Sequence, residues 1–533
     1  MPIRWAYLKR VLAGAVFGLY MAYLLYLINP QVEITPGRLA TVAAVYGATC
    51  GLLFGSILWG LRALRVRLIG RPQTYRTHGF GFVVAAAFIS SFTYWMHLQL
   101  LRGYLPVGAM RVLSKSSNVI TVTAFILLLL WVLERNAHKR LSRAIFFAGL
   151  VLVGISAVFL YQRRDSYRTE RKQAVVADIG APAAQAHVIF VAIRNLPYDW
   201  IVTMKGEGLL PFFDTVTEDA YFTRVEAFRT TSPKSLWASL ATGKLPHRHG
   251  VTGRFAYRTP LNRDEPFLLL PYGVAFRAWG LIPPVERISA SLRSGLALPV
   301  WSLFARLQLP SQVVRWPSVD TPPLRPAGIG DEAQRFNAAG PARQQVLDAL
   351  AGDLAAIGAV DGEAALIAVA LEGFEPAQRA LHVFSNEIPP RGTPKGDTVR
   401  AYVQQLDRAL GAVARRHPRH LIAICSPAGV VPPKLPANVW EFATGRVRRD
   451  DAGADDGFLI VSGPVAAHRE HAAPASVVDV VPTVLFGAGL PIGRDMDGRI
   501  LTDAFTDEVL RRSTLSAIQT YEAERVVVRR SGS

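Results

Sequence analysis

Thr231 and Ser232 place two hydroxyls in the stretch "TTSPKSLWASLATGKLPHRHGV" (230–251), just ahead of a small-residue helical pattern, with Lys234 close behind. A serine or threonine hydroxyl attacks only when a metal or a neighbouring base activates it, so its partners decide the chemistry. The candidates are scattered. "HVIFVAIRN" ends in Arg194-Asn195, "LEGFEPAQRAL" (371–381) sets Glu375 and Arg379 one helical turn apart, and "LIAICSPAGVV" (421–431) ends in Ser426-Pro427-Ala428-Gly429. Imidazoles stand at His247, His249, His382, His468 and His471. Arg cannot give up its proton to become a ligand, and Pro and Ala carry no side-chain donor atom. His468 and His471 have near-helical spacing in a loop, where solvation is the ordinary fate. There is no Cys cluster and no HExxH pattern to mark another metal site.

The elements that must position these residues are legible. "HVIFVAIRN" opens a soluble domain as a continuous apolar run of the kind a parallel strand buried on both faces carries. Similar runs recur at 365–371, 420–425 and 458–462, with amphipathic helical stretches at 341–358 and 397–416 between them. Strand alternating with helix predicts an α/β fold with a mostly parallel sheet and helices on both faces. In such a fold ligands bind beyond the carboxyl ends of the strands, so the residues after each apolar run are the ones to inspect.

Ahead of that domain lie five apolar runs, at about 11–29, 40–61, 79–97, 118–133 and 144–161, each near the roughly 17–25 residues a membrane crossing needs. The first is too long for a signal-peptide core and lacks a small-residue cleavage site, so it reads as a retained anchor. His97 closes the third run, where an interfacial position is expected. The net charge of +19 invites a nucleic-acid reading, but +17 of it falls before residue 173 and only +2 after. The excess marks membrane topology. The N-terminus and the second and fourth loops hold 12 basic residues, the first and third loops 4, which sets the N-terminus in the cytoplasm and the C-terminal domain outside it. The basic "YQRRDSYRTERK" after the fifth run goes against this rule, to which long translocated domains respond poorly. It is either an anionic-headgroup contact or a solvated segment. Cys50 falls in the second run and Cys425 in a strand of the soluble domain, so they do not pair. The expected division is a five-helix transmembrane domain at 1–172, a linker at 173–186, an extracytoplasmic (periplasmic) domain at 187–510 and a tail at 511–533.

Three segments resemble the alkaline phosphatase superfamily, and within it the type I phosphodiesterase/nucleotide pyrophosphatase and sulfatase-like branches. The first is residues 230–251, with a hydroxyl some five residues before Trp237, then "TG" and a terminal "HG". The second is "ALPVWSLFARLQLPSQVVRWPSV" (297–319), and the third is 457–501, where "SGP", "DVVPTVL", "GLP" and "DMDGR" follow in family order. The resemblance implies an alkaline-phosphatase-like fold in which two zinc-like metals activate the nucleophile and clamp an in-line displacement. It places the nucleophile at Ser232 (Thr231 is its neighbour, and a one-residue shift would substitute Pro233) and gives His249 a structural place. It also puts Arg194, Glu375, Arg379, Pro427, Ala428 and Gly453 where the family keeps its metal ligands. One carboxylate among six positions does not hold a dinuclear site.

The expectation is a membrane-anchored pseudoenzyme without metal cofactors. Arg194, Lys234 and Arg379 are candidates to hold an anionic, phosphorylated ligand or lipid headgroup by bidentate contacts; the competing reading closes the cleft by pairing the arginines with Glu375. Partners on the first reading are the bilayer and such a ligand, an active paralogue or an envelope complex, and no nucleic acid. Two alternatives remain. One is an active metal-dependent phosphodiesterase, sulfatase-like hydrolase or headgroup transferase, with two zinc-like metals held by residues elsewhere. The other is a structural subunit whose spans, with small faces such as "GATCGLLFG" (47–55), form the interface.

Overall fold

The structure is a computed structural model. It describes all residues except 1–2, 70–79, 102–103, 106, 165–176, 181–186, 227–232, 254, 264, 272–275, 277–280, 290–291, 293–296, 318–323, 330–335, 337–339, 386, 431–455, 470–471, 513–515, 523–525 and 530–533. The chain divides into two compact units. Among the described residues, one joins the N-terminal helices, within Met1–Thr169, to Thr252–Ala290; the other holds the rest of the chain. This division departs from the expected one, because 252–290 folds with the N-terminal helices and not with the α/β domain.

The first unit contains, among the described residues, five helices long and apolar enough to cross a membrane. They are α1 (Ile3–Leu27), α2 (Pro36–Ile69), α3 (Phe80–Leu100), α4 (Val107–Asn136) and α5 (Lys139–Arg164). α2 and α4 outrun the apolar stretches that announce them, since a helix continues into polar residues once its ends reach water. Glycine sets how α1 and α2 pack. A Cβ on Gly14 would lie 2.8 Å from the Cys50 carbonyl oxygen, one on Gly55 2.7 Å from the Val11 Cα, and one on Gly18 against the Tyr46 carbonyl. Gly47 meets nothing within 4 Å. Side chains then join the helices: the Tyr20 hydroxyl reaches Ala86 O at 2.9 Å and Ser90 Oγ at 2.7 Å, and Tyr23 donates to Ala157 O at 3.0 Å. His97, expected at an interface, is buried in α3.

Asn29, fully buried just past the end of α1, explains why 252–290 belongs here. Its Nδ2 donates to Leu25 O and Leu269 O at 2.8 Å each, and its Oδ1 accepts from Leu268 N at 2.9 Å and Leu269 N at 3.0 Å. Arg164, at the end of α5, donates to the carbonyls of Asn29, Pro30 and Val32, which neutralises the negative end of α1. Around these contacts Phe267, Phe276 and Leu281 share a core with Met21, Leu25, Tyr26 and Val32. The inserted segment is itself a hairpin, β4 (Phe255–Arg258) antiparallel to β5 (Glu286–Ser289).

The second unit is built on a seven-stranded sheet, counted among the described residues, in the order β10-β3-β9-β8-β2-β7-β6. The strands are β2 (Val188–Ile193), β3 (Tyr221–Glu226), β6 (Ser311–Val314), β7 (Leu366–Leu371), β8 (Leu421–Ser426), β9 (Gly457–Ser462) and β10 (Ala475–Ser476). β6, β7, β2 and β8 are mutually parallel, while β9 pairs antiparallel with both β8 and β3. All six residues of β2, of β7 and of β8 are buried, which requires cover on both faces and accounts for their unbroken apolar sequence. One face carries α8 (Pro233–Thr242), α10 (Val300–Arg306) and α14 (Val480–Gly487). The other carries α6 (Tyr198–Gly206), α7 (Pro211–Glu218), α11 (Gly340–Gly358), α12 (Phe374–Leu381) and α13 (Pro394–Arg416). α13 starts where its sequence directs: Thr393 caps it by accepting from Gly396 N at 3.1 Å, and Pro394 occupies the first turn.

Two expected irregular segments are ordered by pairing. β1 (Ala177–Gly180), inside the expected linker, runs parallel to β13 (Val526–Arg529), inside the expected tail. β12 (Ala517–Ile518) pairs with β11 (Ile492–Gly493). Each strand is too short and too weakly patterned to read locally, and only its partner gives it a place.

Candidate functional site

Because β6, β7, β2 and β8 are parallel, their tips Arg315, Glu372, Arg194 and Ser426 line one edge of the sheet. β9 runs the other way, so its first residue, Gly457, reaches the same edge; a Cβ there would lie 2.8 Å from Ala428 N. Asn195, after Arg194, has φ 63°, the left-handed conformation open to Gly and Asn.

The side chains at this edge bind one another. Arg194 Nη1 donates to Glu372 Oε1 at 3.0 Å, and its Nε contacts Glu375 Oε2 as an ion pair without the alignment of a hydrogen bond. Arg379 Nη2 donates to the other oxygen of Glu375 at 2.5 Å. Glu375 therefore bridges both arginines. The positions differ in solvent contact, with the Glu375 side chain 9% exposed, Arg194 23% and Arg379 66%.

Beneath them, buried Asp353 on α11 accepts from Gly373 N at 2.9 Å and from the Tyr402 hydroxyl at 2.8 Å, with Arg315 Nη1 3.4 Å away. Burial pushes its carboxyl up to about 6, against the pull of these donors. Gly373 lies between Glu372 and Glu375, so Asp353 holds the turn that presents both carboxylates. Arg194, Arg315 and Arg379 thus face Glu372, Glu375 and Asp353, and the six charges balance.

The tip of β8 is closed as well. Ser426 Oγ accepts from Leu196 N at 3.1 Å and donates to Ala428 O at 2.9 Å, and Ala428 and Val430 are buried. Pro427 and Ala428 therefore end the strand in packed, buried backbone. Ser232, Thr231 and Gly453 lie outside the described residues, as does His471. Lys234 sits half-buried in the first turn of α8.

The described histidines among the site candidates are dispersed. His249 is fully buried; its Nδ1 accepts from Val251 N at 3.1 Å, which leaves Nε2–H to donate to Ser239 Oγ at 2.9 Å. Burial, aided by His247, pushes its pKa down to about 3, so the ring is neutral and structural. His247 is half-buried on α9 (Pro246–His249), His382 ends α12 at φ 53°, and His468 is exposed after β9. Among the described residues, no group of three or more His, Cys, Asp or Glu is placed to hold a metal ion. The described ligand positions do not fit a dinuclear metal site: one carboxylate, two guanidiniums, a proline and an alanine supply one donor group, already engaged by two cations.

Glu372, Arg315 and Asp353 are missing from the sequence reading. Glu372 had a signal, since it directly follows the apolar run of β7 and stands three residues before Glu375. Arg315 and Asp353 had none, because only strand order brings them to this edge.

No family model matches the sequence, and no curated protein does. Solved structures are similar to it. Murine ectonucleotide pyrophosphatase/phosphodiesterase 5 is 12% identical, covering 57% of this chain and 95% of its own, with a TM-score of 0.34. A 2-O GAG sulfatase is 11% identical, covering 60% and 73%, with a TM-score of 0.37. Phosphonoacetate hydrolase from Sinorhizobium meliloti is 11% identical, covering 46% and 57%, with a TM-score of 0.29. These are remote likenesses, and the account of the fold and its edge stands on the strand order and contacts above.

Proposed function

We propose that this protein is a membrane-anchored, catalytically retired relative of the phosphodiesterase and sulfatase-like enzymes, whose α/β domain serves as a binding scaffold in the cell envelope and not as a hydrolase. The observation that carries the reading is Glu375 between Arg194 and Arg379. At the edge where the family holds two cations, this chain supplies two of its own and one carboxylate to join them. Internal pairing also supports a protein partner over a phosphorylated ligand, because an entering anion would compete with Glu372 and Glu375 for both guanidiniums.

Replacing Arg194 and Arg379 together by Ala tests this. Stranding Glu375 costs on the order of 2–3 kcal/mol, less than the 3–5 typical of a fully buried pair because Arg379 is largely in water. The expected result is a lowered unfolding midpoint for the purified full-length protein, with inorganic phosphate binding detected neither before nor after the change. Unchanged stability with lost phosphate binding would instead make the arginines a receptor site.

A further inference from the structure

At the opposite edge of the sheet three histidines meet, and the reading above gives them no role. His187 immediately precedes β2, His417 caps the C-terminus of α13, and His420 immediately precedes β8. The His417 and His420 rings pack edge to face with centroids 4.8 Å apart, and His187 and His420 do so at 5.3 Å. Both ring nitrogens of His420 and Nε2 of His417 are enclosed without a hydrogen-bond partner among the described residues. The backbone ties the same residues together: Leu421 N donates to His187 O at 2.9 Å and His420 N to His417 O at 3.1 Å. The cluster therefore sits on the first hydrogen bond joining β2 to β8, the two strands at the middle of the sheet.

We propose that this cluster is an acid-sensitive joint that holds the starting edge of β2 against β8 while the His420 imidazole is neutral and releases it when that ring gains a proton. The charges around it favour such a response. α13 brings Arg415 and Arg416 in its last turn, and the turn to β8 brings Arg419, all exposed. The exit of β9, Ser462-Gly463-Pro464, brings no titratable group, and the entry to β7 brings exposed Asp361 and Glu363. Burial, then His417 and His187, hold His420 below the ordinary imidazole range. The folded state thus binds protons less readily than the open one. The joint is firm above the ordinary imidazole pKa of about 6.5 and weakens as pH falls through and below it. Each unit of depression multiplies the opening constant by about ten once the pH lies below both values.

Hydrogen exchange of the full-length protein, read on peptides spanning 187–193 and 419–424 and corrected for the intrinsic pH dependence of exchange, tests the proposal. Between pH 7.5 and 5.5 we expect these peptides to lose protection about tenfold, while peptides of α11 hold theirs. His420→Phe, which keeps an aromatic ring in place, should abolish the loss. His187→Phe, at an exposed position, should reduce it and serves as the readout if the first variant does not fold. Protection that does not change with pH in the wild type, a loss that persists in the folded His420→Phe variant, or a loss undiminished in His187→Phe, would overturn the proposal.

Discussion

Residue by residue, the edge of the sheet reads as a set of charges that need one another. Glu372 and Glu375 pair with Arg194 and Arg379. Replacing both glutamates by Gln should therefore create phosphate binding that the wild-type protein lacks, measurable by calorimetry, and should lower stability by roughly 2 kcal/mol through the unpaired arginines. If the double variant binds no better, the arginines are not poised for anions at all. Asp353 and Asp407 give a second residue-scale expectation, since burial pushes each up to about 6. A carboxyl whose folded pKa exceeds its unfolded value takes up protons on folding. Its contribution to stability is thus fully present below about 4 and lost as pH rises to about 6. His249 acts with the opposite sign, since its depressed pKa costs stability as pH falls below about 6.5. In Asp353→Asn the loss of stability between pH 4 and 6 should shrink, as followed by denaturant unfolding; an unchanged slope would show that this carboxyl ionises in the folded state as it does in water.

Among the elements, helix packing in the first unit depends on where glycine faces. Gly18→Leu and Gly55→Leu drive a side chain into the backbone of the opposing helix, and each should cost at least the 1–3 kcal/mol of an overpacked core. Gly47→Leu, pointing into open space, should leave the melting temperature in detergent within a degree or two. Equal effects at all three positions would contradict the α1–α2 contact. The sequence displayed the GATCGLLFG run but could not say which of its glycines meets a helix. The strands and helices of the sheet were legible for a physical reason: burial on both faces writes an unbroken apolar run, and a capped amphipathic helix writes its own start. The hairpin at 255–289 was illegible because its apolar residues look like those of any α/β domain, and only Asn29 and Arg164, far away in sequence, reveal what they pack on. The site was half legible. Glu375 and Arg379 could be read as neighbours one helical turn apart, whereas their pairing with Arg194 needed strand order.

For the whole molecule, the charge asymmetry of the loops and the paired charges at the sheet edge lead to two expectations. We expect a cysteine-accessibility or reporter-fusion map to place the N-terminus in the cytoplasm and the α/β domain outside; the reverse would mean that the basic residues at 163–172 govern orientation. The central claim is that the edge no longer binds metal, and elemental analysis of the purified full-length protein addresses it most directly. The account predicts no stoichiometric zinc, manganese or calcium, and no chelator-sensitive hydrolysis of phosphodiesters or sulfate esters. About two divalent ions per chain, removed by a chelator together with such hydrolysis, would contradict it.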